Sequence, residues 1–115
     1  MARRDEYERV EVLNDPRTWQ RAPCEEGVIY IVKGGDVTDP PGKPIYVRYR
    51  CPCGCGDMVA LPIANDREEG EWGFSQDTDG RVTLDPSVLH LPPENSGNCK
   101  CSSHYFIRAN RVEWC

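Results

Sequence analysis

Ile45-Tyr46-Val47-Arg48-Tyr49-Arg50-Cys51-Pro52-Cys53-Gly54-Cys55-Gly56 is the stretch whose reading decides how this 115-residue chain folds. Ile45, Val47 and Tyr49 alternate with Tyr46, Arg48 and Arg50, the period of a half-buried strand. That strand delivers the chain into three thiols within five residues. Cys-x-Cys reaches disulfide geometry only with strain, whereas thiolates at this spacing suit a tetrahedral Zn²⁺ site. A second cluster follows, Cys99-Lys100-Cys101-Ser102-Ser103-His104.

In a zinc knuckle a proline stiffens the start of the turn and a glycine at its end permits the positive φ that aims backbone N–H groups at sulfur. Cys51-Pro52 opens such a turn and Cys55-Gly56 closes it. The expected ligands are therefore Cys51 and Cys55, with Cys53 as the alternate, together with Cys101 and His104, with Cys99 as the alternate. Three thiolates and an imidazole make a closed structural site. Cys24 and Cys115 read as small buried hydrophobes, and His90, beside Leu91-Pro92-Pro93, as a bystander in a loop.

Working outward, Gly27-Val28-Ile29-Tyr30-Ile31-Val32 is a β-branched run that predicts a buried strand. Tyr7, Val10 and Val12 predict a short strand, and Trp19 is expected on the core. Met58 to Ile63 predicts a returning strand, with Pro62 marking an edge or an end. Glu71 to Phe74 and Arg81 to Leu84 flank Asp79-Gly80, a hairpin turn pair. Asp85-Pro86-Ser87-Val88-Leu89 predicts a helical turn, with Asp85 as N-cap and Pro86 at the first helical position. Tyr105 to Arg108 and Arg111 to Trp114 predict a last hairpin around Ala109-Asn110. The expected fold class is mainly β: one small antiparallel zinc-ribbon-like domain over residues 1–115, with two metal-bearing turns and little helix. Residues 1–26 are expected to form a peripheral segment.

The hydrophobic fraction is 38%, with ten Gly and ten Pro, so the core is thin for the length and a structural metal would help it. The net charge of −5 argues against general nucleic-acid binding. No stretch has the length of a membrane span. The start, Met1-Ala2-Arg3-Arg4-Asp5-Glu6, has no apolar signal region after it. Seven cysteines, an odd count, then point to a reducing cytoplasm, where clustered thiols mean metal more often than disulfides. Tyr46, Arg48 and Arg50, on the outward side of their strand, form the expected partner-binding face.

The motifs of known catalytic classes are absent. His104 is followed by Tyr105 and Phe106, so there is no His-x-Glu of a zinc deaminase. His-Glu-x-x-His, Cys-x-x-Cys and a phosphate-binding glycine loop do not occur. Ser87 lies in no nucleophile-elbow context.

Cys51-Pro-Cys-Gly-Cys-Gly56, Leu61, Trp72, Thr83-Leu84-Asp85-Pro86-Ser87-Val88, Cys101-Ser-Ser-His104-Tyr105-Phe106-Ile107 and Val112-Glu113-Trp114-Cys115 together resemble a family of small zinc-ribbon-like bacterial and phage proteins. The match runs from about Gly27 to the end. The resemblance implies a fold type and a context rather than an activity. Genes of that family neighbour bacterial ubiquitin-like conjugation systems, with an E1-like adenylating enzyme, an E2-like protein and a JAB-type metallopeptidase. The function expected from the sequence is a zinc-binding adaptor or protein-interaction module, accessory to a ubiquitin-like or phage-related system, with protein partners. A small zinc- or thiol-dependent enzyme and a metal-handling protein are the alternatives.

Overall fold

The computed structural model describes residues 4–14, 24–35, 41–54, 58–63, 72–90 and 103–115. Eight strands form two four-stranded sheets. The first sheet holds β1 (Arg9–Leu13), β2 (Val28–Lys33), β3 (Pro44–Arg50) and β4 (Met58–Pro62), in that order. The second holds β5 (Gly73–Gln76), β6 (Val82–His90), β7 (Ser103–Arg108) and β8 (Arg111–Trp114), also in chain order. The mainly-β expectation holds, and no helix is an element among the described residues. The expected helical turn at Asp85–Leu89 is instead part of β6. The antiparallel expectation is corrected at β1, which runs parallel to β2. Pro62 closes β4, an edge strand, where its missing N–H leaves no ladder bond unmade.

Both sheets contribute to one core. Ile29, Ile31, Val47, Tyr49, Val59 and Leu61 come from the first sheet, and Val82, Leu84, Val88, Tyr105, Ile107 and Val112 from the second. The alternation in β3 is as expected for Val47 and Tyr49, which are fully buried. A line of edge-to-face aromatic contacts crosses this core, from Tyr7 to Tyr49 (5.3 Å), Tyr105 (6.5 Å) and Trp114 (5.6 Å). The hydroxyls of Tyr49 and Tyr105 share a hydrogen bond of 2.8 Å, so two polar tips are buried at the cost of one bond between them.

The stretch expected to be peripheral contributes to the core. Tyr7 is 1% exposed, and its hydroxyl donates to the Arg50 carbonyl. Its backbone ties the two sheets together: Arg4 N–H donates to Pro52 O (2.6 Å), Tyr7 N–H to Asn110 O (2.8 Å), and Val112 N–H to Asp5 O (2.8 Å). Trp19 lies outside the described residues.

The last hairpin turns on Ala109 (φ 49) and Asn110 (φ 65), the two left-handed central residues of a type I′ turn. Asn110 is buried, its Oδ1 accepts from Val82 N–H at 2.7 Å, and its own N–H donates to Val82 O at 2.9 Å. Asn110→Ala is expected to lower stability by about 2–4 kcal/mol, since it strands a buried N–H and loses the residue best suited to this conformation. Ala109→Gly relieves the same backbone cost and should raise stability by up to about 1 kcal/mol. Urea denaturation of the two variants checks the opposite signs.

Burial, above all, pushes the phenols of Tyr7, Tyr49 and Tyr105 well above the usual tyrosine range. Their folded pKa values exceed the unfolded value near 10, so the stability they carry is fully present below about pH 10 and is lost as pH rises from there. Denaturation midpoints should be flat toward neutrality on this account and fall steeply above about pH 10. Ionisation of these three phenols should appear only together with unfolding; Tyr7, Tyr49 or Tyr105 phenolates in a still-folded protein would contradict the packing.

Candidate functional site

Pro86 sits in a strand with neighbours on both sides, where a missing N–H would break a ladder. The register explains how it is accommodated. Leu84 pairs with Ile107 and Val88 with Tyr105, so Asp85, Pro86 and Ser87 on β6 face only Phe106 on β7. The pairing of β5 ends at Asp85, so Pro86 and Ser87 also lie beyond that neighbour. The extra residues form a bulge, a device that re-aims a side chain. Here Ser87 Oγ lies 2.9 Å from His104 Nε2.

His104 is exposed on β7, next to the fully buried Tyr105, so strand alternation places its ring on the outward face of the second sheet. Its carbonyl accepts from Cys115 N–H at 2.9 Å, which holds the β7 end against the chain beyond β8. Phe106 and Arg108 follow on the same outward face, Arg108 stacked 4.5 Å over the Phe106 ring and paired with Glu113 at 3.2 Å. A hydroxyl within hydrogen-bond reach of an imidazole, open to solvent, can act as nucleophile and base. With the imidazole proton on Nδ1, Nε2 is the acceptor of the Ser87 hydroxyl proton.

The expected metal residues divide differently. Cys51 is buried in the core cluster and Cys53 is packed against it, with their sulfurs 3.4 Å apart. Cys55, Cys99 and Cys101 lie outside the described residues. Cys51 and Tyr105 belong to the same core, whereas His104 faces the other side of the second sheet. Among the described residues, no group of three or more Cys, His, Asp and Glu side chains converges.

The expected partner face is only partly exposed. Tyr46 is 42% exposed, but Arg48 is 2% exposed, its guanidinium 5.5 Å from the Tyr30 ring. Arg50 is half-buried and its Nε–H donates to the Cys24 carbonyl at 2.8 Å. Of the three, Tyr46 alone is an exposed side chain, next to a shallow hollow lined also by Val32, Arg48 and Ala60. Cys24 is half-buried, and burial, opposed by Arg48 and Arg50, pushes its thiol up. Cys115, expected to be buried, is exposed. His90 pairs with Ser103 in the backbone register.

The model of the bacterial ubiquitination-like system serine protease family (BubE) matches residues 16–115. The chain belongs to the BubE family. No curated protein and no solved structure matches it. The matched residues include both Ser87 and His104, and membership ties the chain to a bacterial ubiquitination-like system. The sequence missed the pair because Asp-Pro-Ser imitates a helix N-cap. The available signal was Pro86 itself, a proline inside an otherwise β-like run, which marks a bulge. Among the described residues, no helix is long and apolar enough to cross a membrane.

Proposed function

We propose that this protein is a serine hydrolase of a bacterial ubiquitination-like system, with Ser87 as nucleophile and His104 as general base, acting on an acyl bond in a protein of that pathway. The observation that carries this reading is the 2.9 Å contact between Ser87 Oγ and His104 Nε2 on an open sheet face. The printed description of the BubE family, which names a serine protease, supports it.

In this reading Nε2 takes the hydroxyl proton as Oγ attacks the carbonyl carbon of the bound substrate. The same proton goes to the leaving nitrogen or oxygen as the acyl–Oγ ester forms. Water then attacks the ester, gives a proton to Nε2, and Oγ leaves with that proton to restore Ser87. The developing oxyanion needs fixed donors. Pro86 has no N–H and Asp85 pairs with Gly73 of β5, so this reading assigns that role to the Ser87 N–H in the bulge.

This reading replaces the adaptor expectation, whose arginine face is largely internal. The protein partners of the pathway become substrates or their carriers, and a reducing cytoplasm suits the thiols at Cys24, Cys51, Cys53 and Cys115. The test is covalent labelling with a fluorophosphonate, followed by peptide mapping. Label on Ser87, lost on heat denaturation and in His104→Ala, is the expected result. No label, or label elsewhere, rejects the assignment.

A further inference from the structure

The hydrogen bonds of β7 decide which way the backbone of β6 faces. Cys115 N–H donates to His104 O, so the backbone groups of His104 point toward the chain beyond β8. Successive residues of an antiparallel strand send these groups to opposite sides, so Tyr105 turns toward β6 and its partner Val88. Leu89 and His104 are then a pair without mutual hydrogen bonds, and Leu89 N–H and C=O point away from β7. The bulge keeps this alternation in step. Four steps along β6, from Leu84 to Val88, match two along β7, from Ile107 to Tyr105, so the bulge holds two extra residues, an even number. Asp85, Ser87 and Leu89 therefore turn their backbone groups to the β5 side. The missing N–H of Pro86 falls on the β7 side.

β5 covers only the first half of β6 on that side, its ladder ending with Gly73 against Asp85. Trp72, the residue before Gly73, leaves for the other sheet: its N–H donates to Pro62 O at 3.0 Å, and it bridges to Ile63. Among the described residues, no strand pairs with Ser87 or Leu89 beyond the end of β5.

We propose that this lane along Ser87 and Leu89, in line with β5, binds the acyl side of the substrate as an added antiparallel strand, a proposal that rests on the hydrolase reading of Ser87 and His104. Antiparallel is the direction β5 already takes beside β6. The residue whose carbonyl is attacked lies opposite Ser87, with that carbonyl on the Ser87 N–H, the donor already assigned to the oxyanion. The residue two before it exchanges both backbone hydrogen bonds with Leu89, and the residue between them turns its backbone away from β6. Past the attacked bond the lane is filled by β5 from Gly73 onward, so the leaving side turns out of the sheet. Main-chain bonds of this kind recognise an extended chain and tolerate its sequence. The substrate class is thus an extended protein segment with at least three residues before the bond, not a loop held in a folded surface.

The experiment measures how fast acetyl-capped alanine diphenyl phosphonates, one to four residues long, modify Ser87 in the full chain, read by intact mass and peptide mapping. In each, Oγ displaces one phenol from phosphorus. The second-order rate should rise at least about tenfold between one and three residues, as the bonds to Leu89 are gained. Counting back from the phosphonate residue, N-methylation of the third residue should cancel most of that gain, and N-methylation of the second should change the rate less than about twofold. A rate independent of length, or equal loss from methylation at the second and third residues, overturns the proposal. So does a protein whose Ser87 takes a simple fluorophosphonate but none of the peptidyl phosphonates. Absence of label from the fluorophosphonate as well rejects the hydrolase reading, and the lane with it.

Discussion

Ser87→Ala is expected to reduce turnover of an activated ester, and of any protein substrate, by roughly three orders of magnitude or more, with the fold intact. The magnitude follows from the arrangement of the pair. Without Oγ there is no atom to form the acyl intermediate, and without the imidazole Oγ remains a weak nucleophile. The two residues act as a unit, so His104→Ala should be nearly as damaging, and the double variant little worse than either single one. Ser87 is half-buried and His104 exposed at the surface of the second sheet, so neither change opens the core. Melting temperatures within a few degrees of wild type are expected, since surface changes usually cost less than about 0.5 kcal/mol. Ser75→Ala, on the exposed edge strand β5, serves as the control that keeps full activity. A Ser87→Ala protein retaining a tenth of wild-type turnover would end the nucleophile assignment.

Tyr105→Ala should be the most damaging of the stability changes. The side chain is fully buried, packed edge-to-face against both Tyr49 and Trp114, and hydrogen-bonded to Tyr49. Removing a buried aromatic ring costs about 3–5 kcal/mol through lost transfer energy and the cavity left behind. The orphaned Tyr49 hydroxyl adds about 1–3 kcal/mol. Against a total stability of about 5–15 kcal/mol, the variant should melt tens of degrees lower or fail to fold. The hydroxyl contribution can be isolated. Tyr49→Phe and Tyr105→Phe each strand one buried hydroxyl, whereas the double Phe variant removes both. The double variant should therefore cost less than the sum of the singles by about 1 kcal/mol or more. Strict additivity in a thermal or urea double-mutant cycle would mean that the two hydroxyls are not coupled.

Local pattern determined most of the strands, the second half of β6 excepted. Val28 to Val32 is a strand because an unbroken β-branched run can bury both faces, and Val47 with Tyr49 and the paired runs around Asp79-Gly80 and Ala109-Asn110 are strands and hairpins by alternation and turn residues. A turn opening at Cys51-Pro52 was legible because proline and glycine punctuate a chain whatever surrounds them, but the sequence closed it at Cys55-Gly56, whereas a hydrogen bond closes a tighter turn at Gly54. Three things were decided only by the tertiary structure. Arg48 has the sequence environment of a solvent-facing residue, yet Tyr30 on the neighbouring strand stacks on it, and alternation says which side of a sheet a residue takes but not whether that side is covered. Pro86 reads in the sequence as a helix start, and the register with β7 makes it part of a strand bulge. Ser87 and His104 are seventeen residues apart on different strands, and their contact depends on that register and its extra residues. A site made by pairing two strands leaves no spacing motif in either one, because the distance that matters runs across the hydrogen-bonded ladder and not along the chain.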